Sequence, residues 1–356
     1  MNNSPAARKQ ESKPNPFVYG KPLRISDFFN RDEIIDNLLD ITVSGRMQKD
    51  VWVTGERQVG KTSLLKYIQR KSKNKNFDRK IELYETGESL NVSFHYITTQ
   101  STNSKGEFYR KLLHRLEKDF SFQTEPSDKP VLDFIDALKD IYSKKKYYIV
   151  FLVDEFDAFL KNLAVDNPNN ASLFLSEINE LLEGTHEDMD GKIFSCIFTA
   201  NRTLRDSLEE NDVEGSGSGL VLERNIDLPW FNKEQVEELA HQYLKNHHTQ
   251  FSELETSFCF KMTQGYPYFV QLLYHIMYKQ KQADPDPKSY ISKVKEEYGK
   301  NFKETVKVWS GTNMPKRTLE KLQSLVGDIV KKIGDPDPSL SLVFKGIGEF
   351  LKTLLL

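Results

Sequence analysis

The sequence predicts an α/β fold with a central five-stranded parallel sheet, followed by an all-helical region. Between residues 50 and 228, short apolar strands alternate with amphipathic helices, which is the pattern of a parallel sheet with right-handed crossovers. Residues 147–153 form an unbroken apolar run, as expected for a central strand that helices cover on both faces. Beyond Pro229 the apolar residues follow helical spacing throughout.

The individual elements follow from local patterns. An extended strap with Pro16, Gly20 and Pro22 precedes a first helix, for which Asn30 is a plausible cap. The five predicted strands are residues 51–53, 92–98, 147–153, 193–199 and a short segment within 220–228. The helices predicted between them are residues 62–70, 107–120, 131–143 and 172–183. Three further helices are predicted over residues 233–246, 253–263 and 266–280.

The same patterns divide the chain into four regions. Residues 1–15 are polar and lack periodicity, so we expect a disordered tail. Residues 16–229 are assigned to the core with its N-terminal strap, and residues 230–283 to a helical lid. Residues 284–356 form a C-terminal helical or winged-helix segment, which the helix-breaking sequence ADPDP separates from the lid.

Residues 341–356, at the end of the last region, are predicted to form an amphipathic helix with one wide apolar stripe. A stripe of this kind is not expected to remain exposed to water, because it promotes association. It could dock on this protein's own helical region, pair with another subunit or domain, or lie on a lipid surface. The sequence leaves these three alternatives open.

Composition and charge argue against several classes of protein. The chain has 50 Lys and Arg against 52 Asp and Glu, unlike a strongly basic nucleic-acid-binding domain. The N-terminus has no apolar run of the secretory type, and no stretch approaches the roughly 18 apolar residues of a membrane span. The two cysteines, Cys196 and Cys259, indicate buried thiols in a reducing compartment. We therefore expect a soluble, cytoplasmic protein.

Residues 55–62 fit the phosphate-binding pattern G-x-x-x-x-G-K-[ST], with a strand before it and a helix after it. Gly55 and Gly60 let the backbone curl so that successive N–H groups point at phosphate oxygens. Lys61 adds a positive charge, and the Thr62 hydroxyl completes a magnesium shell. The helix that follows directs its positive end at the same phosphates. The predicted nucleotide-binding residues are Gly55, Arg57, Gln58, Val59, Gly60, Lys61, Thr62 and Ser63.

Two carboxylates, Asp154 and Glu155, follow the most apolar strand. A phosphate-binding loop of this kind requires one acid to hold magnesium and another group to orient water. Asp154, at the strand end, is predicted to hold the metal through its water shell. Glu155, one residue further on, is predicted to polarise the attacking water. Asp157 is a further candidate for either role.

The strand at residues 193–199 continues into Ala200, Asn201 and Arg202. A polar or cationic side chain at the end of this neighbouring strand could reach the γ-phosphate, so Asn201 and Arg202 are candidate catalytic residues. The alternative is an ordinary helix start that Asn201 caps.

These motifs resemble those of the STAND class of P-loop ATPases, within the AAA+ and ORC-like branch, and more closely the prokaryotic AAA-like domain ATPases. The resemblance covers about residues 16–280 and implies that the chain has a P-loop NTPase core. It further implies ATP as the nucleotide, a P-loop strand beside the strand that carries Asn201, and a helical lid in which Pro267 packs near the adenine. The similar segments are residues 17–22, 28–32, 55–65, 153–156, 198–202 and 265–267.

We therefore predict a P-loop ATPase that binds ATP and Mg2+ and whose hydrolysis changes the angle of the lid. The lid would switch an unidentified protein partner or a second copy of the chain. One alternative is a nucleotide-gated scaffold that does not hydrolyse ATP. The other is a DNA-associated, initiator-like ATPase with a C-terminal winged helix. Residues 281–356 carry 14 Lys and Arg against 10 Asp and Glu, and this net charge of +4 supports DNA binding only weakly.

Overall fold

The structure is a computed structural model that describes residues 14–21, 28–29, 31–43, 49–73, 80–82, 89–125, 127–189, 191–201 and 224–310, with residues 320 and 324. The chain divides into two compact units. The sheet unit is Pro22–Pro229, and the helical unit combines Met1–Lys21 with Trp230–Leu356. The chain therefore passes between the two units twice.

The sheet unit alternates strands and helices largely as predicted. Two of its elements were not predicted, namely β2 and α5. β2 has only three residues, which is too short to show periodicity. α5 begins directly after the acid pair, so no loop sequence marks its start. The helices are α1 (Asp32–Val43), α2 (Lys61–Lys71), α3 (Lys105–Phe120), α4 (Pro130–Lys145), α5 (Phe156–Ala164) and α6 (Pro168–Glu183). The strands are β1 (Val51–Thr54), β2 (Lys80–Glu82), β3 (Ser89–Thr98), β4 (Tyr147–Asp154), β5 (Phe194–Thr199) and β6 (Asn225–Asp227).

The strands form one sheet in the order β2-β3-β4-β5-β1-β6. Five of them run parallel, whereas β2 pairs antiparallel with β3 at one edge. The predicted five-stranded parallel sheet is therefore confirmed, with one short antiparallel strand added. β1, the P-loop strand, lies beside β5, which leads to Asn201, as the resemblance implied. β6 lies on its other side, and β5 separates β1 from β4. The carboxyl ends of β1, β4 and β5 consequently meet at one edge of the sheet, where α/β proteins bind their ligands.

An aromatic core holds α5 against the sheet, immediately after the acid pair. Phe156, the first residue of α5, is fully buried. Its ring centroid lies 4.4 Å from that of Phe198 on β5 and 5.6 Å from that of Trp52 on β1. Because aromatic rings bury large apolar areas and pack in specific geometries, these contacts fix where α5 begins. The position of the preceding residue, Glu155, is thereby set.

The helical unit contains α7 (Lys233–Leu244), α8 (Glu253–Thr263), α9 (Pro267–Ala283) and α10 (Pro287–Ser310) within the described residues. The rings of Phe269 on α9 and Phe302 on α10 stack at 4.4 Å, and the Tyr298 hydroxyl donates to the Met262 carbonyl at 3.3 Å. Residues 284–286, next to the predicted boundary, therefore connect two helices that pack on each other. The proline-rich sequence predicts a helix end, but only the packing shows that both helices share one core.

Residues 16–21 of the strap belong to the helical unit, although the sequence-based division assigned residues 16–229 to the core. Phe17 is 1% exposed, and the Phe17 carbonyl accepts a hydrogen bond from His275 Nδ1 at 2.9 Å. Asn15 Nδ2 donates to the His275 carbonyl, also at 2.9 Å. These partners are more than 200 residues away along the chain, so no local pattern could indicate them. The rings around Phe17 belong to Tyr243, Phe251, Tyr274 and Tyr278.

Several sequence predictions fall outside the described residues, namely the tail before residue 14, the helix cap Asn30, Arg202 and the amphipathic stripe at 341–356. Both cysteines are free and buried, as expected. Among the described helices, none combines the length and the apolar character that crossing a membrane requires.

A buried ion pair anchors the start of β1. Asp50 is fully buried, and its carboxylate accepts hydrogen bonds from Lys192 Nζ at 2.5 Å and from the Cys196 backbone N–H at 2.6 Å. Lys192 Nζ also donates to the Leu182 carbonyl at 2.6 Å, near the end of α6. Burial raises the pKa of Asp50, whereas the charge and the hydrogen bond of Lys192 oppose this shift.

We expect Lys192→Met to lower the free energy of unfolding by about 3–5 kcal/mol, because it leaves the Asp50 carboxylate buried without its cation. Urea denaturation followed by circular dichroism measures this loss. Lys105→Met is the matched control, since it removes the exposed ion pair between Lys105 and Glu177. The control should lower the free energy of unfolding by about 1 kcal/mol or less. Equal, small losses in the two variants would contradict the role assigned to the buried pair.

Candidate functional site

Residues 55–60 form a tight loop between β1 and α2, at the place where the sequence predicts the phosphate-binding loop. Gly55 has a φ of +152°, and a Cβ at this position would lie 2.9 Å from Val59 Cγ1 and 3.3 Å from the Leu228 carbonyl oxygen. Only glycine fits there. Gly60, with a φ of +113°, is the N-cap of α2. The amides of the first helical turn have no carbonyl one turn earlier in the helix to bind, so those of Lys61 and Thr62 can donate to an anion.

Lys61 places its ammonium group inside this loop. Nζ donates to the carbonyl oxygens of Gly55 at 2.7 Å and Glu56 at 2.9 Å, and to Asn201 Oδ1 at 3.1 Å. Burial lowers the pKa of Lys61 to about 8, although the carboxylates of Asp157 and Asp154 oppose this shift. The cation therefore lies between the P-loop and the acidic residues that follow β4.

Asp154 ends β4 and is 3% exposed. Its Oδ1 accepts a hydrogen bond from the Thr199 hydroxyl at 2.6 Å, and its Oδ2 accepts one from the Tyr96 hydroxyl at 2.9 Å. Burial raises the pKa of Tyr96, and the charge of Asp154 adds to the effect. The hydroxyl therefore keeps its proton and remains a hydrogen-bond donor. Sequence reasoning missed Tyr96 and Thr199. In the sequence, these two residues are distinguished only by a hydroxyl group near the carboxyl end of a predicted strand.

Glu155 turns the chain from β4 into α5. Its φ of 60° and ψ of 40° are left-handed, which is uncommon for a residue other than glycine. Its backbone N–H donates to Thr199 Oγ1 at 3.2 Å, which holds this conformation. Burial raises the pKa of the Glu155 carboxyl, and the charges of Asp154 and Asp157 add to the effect. A carboxylate with a raised pKa is better suited to proton transfer near neutral pH than an ordinary one.

Asn201 follows β5 and connects the P-loop to α5. Its backbone N–H and its Nδ2 both donate to Asp157 Oδ2, at 2.9 and 3.2 Å. Its Oδ1 accepts the hydrogen bond from Lys61 described above. Asp157, a sequence candidate for the metal or for water, thus contacts Asn201. Asn201 is the last described residue of this segment, so whether it also caps a helix stays untested.

Pro267 lies in the helical unit, where it is buried as the first residue of α9. The turn before it requires Gly265, which has a φ of +79°. A Cβ on Gly265 would lie 1.7 Å from the Phe231 carbonyl oxygen, so no larger residue fits. The role of Pro267 beside the adenine stays a prediction.

The oxygen atoms at this edge of the sheet suit Mg2+. The buried Asp154 carboxylate lies at the end of β4, and the Thr62 hydroxyl belongs to the first turn of α2. Mg2+ prefers oxygen ligands and in nucleotide sites takes only one or two of them from the protein, with phosphates and waters as the others. The Thr62 hydroxyl is an oxygen ligand of this kind, and the Asp154 carboxylate can accept hydrogen bonds from the waters of a bound Mg2+.

Two solved structures share the fold of this chain. The Walker-type ATPase of Pyrococcus abyssi has a TM-score of 0.55 and 15% sequence identity, with 95% of this chain and 93% of that chain covered. The ORC2 protein of Aeropyrum pernix, solved as ADPNP–ADP complexes, has a TM-score of 0.52 and 14% identity, with 97% and 85% covered. The predicted ORC-like architecture agrees with these likenesses, whereas the STAND class stays a prediction.

The comparison with curated proteins gives no match. The family model ATPase_2, described as an ATPase domain predominantly from Archaea, matches residues 28–273. This match spans more than half of the chain and contains the P-loop, the acid pair and Asn201. The chain therefore belongs to the ATPase_2 family of ATPase domains.

Proposed function

We propose that this protein is an Mg2+-dependent ATPase whose nucleotide cycle moves the helical unit and so switches a partner. One observation carries the proposal. Lys61 of the P-loop and the acid at the end of β4 both contact the end of β5, where Asn201 binds Lys61 and Thr199 binds Asp154. A cationic phosphate-binding loop beside a buried acid and a second carboxylate is the arrangement that phosphoryl transfer to water requires. Membership of an ATPase family supports it.

Each residue of the site has a defined task in this proposal. The amides of residues 55–63 and the Lys61 ammonium bind the phosphates, and Asn201 orients the γ-phosphate. Thr62 and Asp154 hold Mg2+, which neutralises charge on the phosphate oxygens when it is bound. Glu155 orients the attacking water and accepts its proton. Arg202, also a sequence candidate, would act on the γ-phosphate from the residue after Asn201.

The switch would act through the two places where the chain passes between the units, next to residues 21 and 229. The family resemblance implies that Pro267, in the helical unit, packs near the adenine. The ORC2 protein of Aeropyrum pernix, which shares the fold, was solved with ADPNP and ADP, so one protein of this fold holds both kinds of nucleotide. The partner would be an unidentified protein or a second copy of the chain.

We expect Lys61→Ala to weaken ATP binding by about tenfold to a hundredfold, because a charged hydrogen bond to phosphate contributes about 1.5–3 kcal/mol. Equilibrium titration with a fluorescent ATP analogue measures the dissociation constant, and circular dichroism shows whether the fold is retained. Lys71→Ala is the control, since Lys71 lies at the far end of α2 and pairs with Asp32 at 3.8 Å. A folded Lys61→Ala protein with unchanged affinity would remove the central claim.

We expect Glu155→Gln to retain binding of ATP and Mg2+ while turnover falls by about 10²–10⁴-fold, the range for loss of a general base. Steady-state phosphate release measures turnover. Glu183→Gln at the exposed end of α6 is the control and should keep full activity. Equal turnover in the wild type and Glu155→Gln would favour the scaffold alternative or another base.

The DNA-associated alternative requires clustered positive charge, and the sequence carries 50 Lys and Arg against 52 Asp and Glu. Few clustered cations would neutralise few phosphates, so we expect duplex DNA binding to be weak and to disappear at physiological salt. Fluorescence anisotropy with a labelled duplex, measured over a range of salt concentrations, tests this expectation. Sub-micromolar binding that resists salt would make the DNA-associated ATPase the preferred function.

A further inference from the structure

Both oxygens of the Asp154 carboxylate are held by hydroxyl groups from the neighbouring strands. Thr199 on β5 donates to Oδ1 at 2.6 Å, and Tyr96 on β3 donates to Oδ2 at 2.9 Å. Neither hydroxyl belongs to the P-loop or to the acid pair. A carboxylate fixed on both sides can present its remaining lone pairs in one orientation only.

Tyr96 also contacts the helix that follows the P-loop. In the β3–β4 register Tyr96 pairs with Leu152, two residues before Asp154, so its side chain must reach along the strand to the carboxylate. The ammonium of Lys66, on α2, lies 5.2 Å from the centre of the Tyr96 ring, within the range of a cation–π contact. One side chain therefore touches both the acid strand and the P-loop helix.

We propose that the Tyr96 hydroxyl is a positioning group for Mg2+ binding, which orients the Asp154 carboxylate toward the metal. This inference rests on the proposed function, because it assigns the metal to Asp154. Groups that hydrogen-bond to a metal-binding carboxylate fix its direction, and their loss typically weakens metal affinity by about 10–100-fold. A phenylalanine would fill the same space and keep the contact with Lys66. The hydroxyl adds the hydrogen bond to Asp154.

Tyr96→Phe tests the inference because it removes one hydroxyl and keeps the ring. The dissociation constant of a fluorescent ATP analogue is measured in EDTA and over a series of Mg2+ concentrations. In EDTA we expect the variant to match the wild type. The Mg2+ concentration that gives half of the maximal tightening should rise about tenfold or more. This readout is binding and does not require turnover.

Tyr148→Phe is the matched control. Tyr148 lies on β4, six residues before Asp154. Its hydroxyl is also buried and lies 2.6 Å from Ser195 Oγ. Its loss should leave the Mg2+ dependence unchanged, even where it lowers the melting temperature.

A second pair of variants tests the other hydroxyl that binds Asp154, that of Thr199. Thr199→Val should weaken the response to Mg2+, whereas Thr199→Ser, which keeps the donor, should restore it.

The outcomes separate this inference from the proposed function. A wild type that responds to Mg2+, with Tyr96→Phe responding identically, overturns the role of Tyr96 and leaves the ATPase proposal standing. Equal weakening of Tyr96→Phe with and without Mg2+ also overturns it, because the hydroxyl would then shape only the nucleotide site. A wild type that binds ATP equally well in EDTA and in Mg2+ overturns the role of Tyr96 in metal binding, whereas a wild type that releases no phosphate from ATP in Mg2+ contradicts the proposed function.

Discussion

The candidate site depends on the insertion of β5 between the P-loop strand and the acid strand. β1 and β4 are two inter-strand steps apart, about 9–10 Å, which leaves room for phosphate and a hydrated metal between their carboxyl ends. β5 bridges this gap with the two residues already described. Thr199 contacts Asp154 at the end of β4, and Asn201 contacts Lys61 in the P-loop region that follows β1. A different strand order would leave the phosphate-binding loop and the acids unconnected.

The hydrophobic core supplies the rigidity that this geometry requires. Glu155 adopts a left-handed conformation, which costs about 1–2 kcal/mol for a residue with a Cβ. The burial of Phe156 and the hydrogen bond to Thr199 offset this cost, because they hold both sides of the turn. The buried pair of Asp50 and Lys192 acts at the opposite end of β1, where it joins the start of the P-loop strand to the end of α6. The site is therefore held from both ends of the sheet.

The path of the chain gives the helical unit two covalent connections to the sheet unit. The first follows the strap, whose Phe17 is enclosed by aromatic rings of the helical unit, and the second follows β6. In the proposed switch, a movement of the helical unit would act on both connections together. The strap would move with the helices because its hydrogen bonds with His275 and its buried ring belong to that unit.

The sequence by itself determined the parallel sheet, the P-loop and the acid pair, because each of these depends on a local pattern of apolar spacing, glycines and charge. Only the tertiary structure decided which side chains meet at the site. Tyr96 and Asp154 are 58 residues apart in the chain, Thr199 and Asp154 are 45 apart, and Asn201 and Asp157 are 44 apart. Their contacts follow from strand order and register, which one sequence does not encode locally. The strap shows the same limit, because Phe17 and its partner His275 are separated by 258 residues.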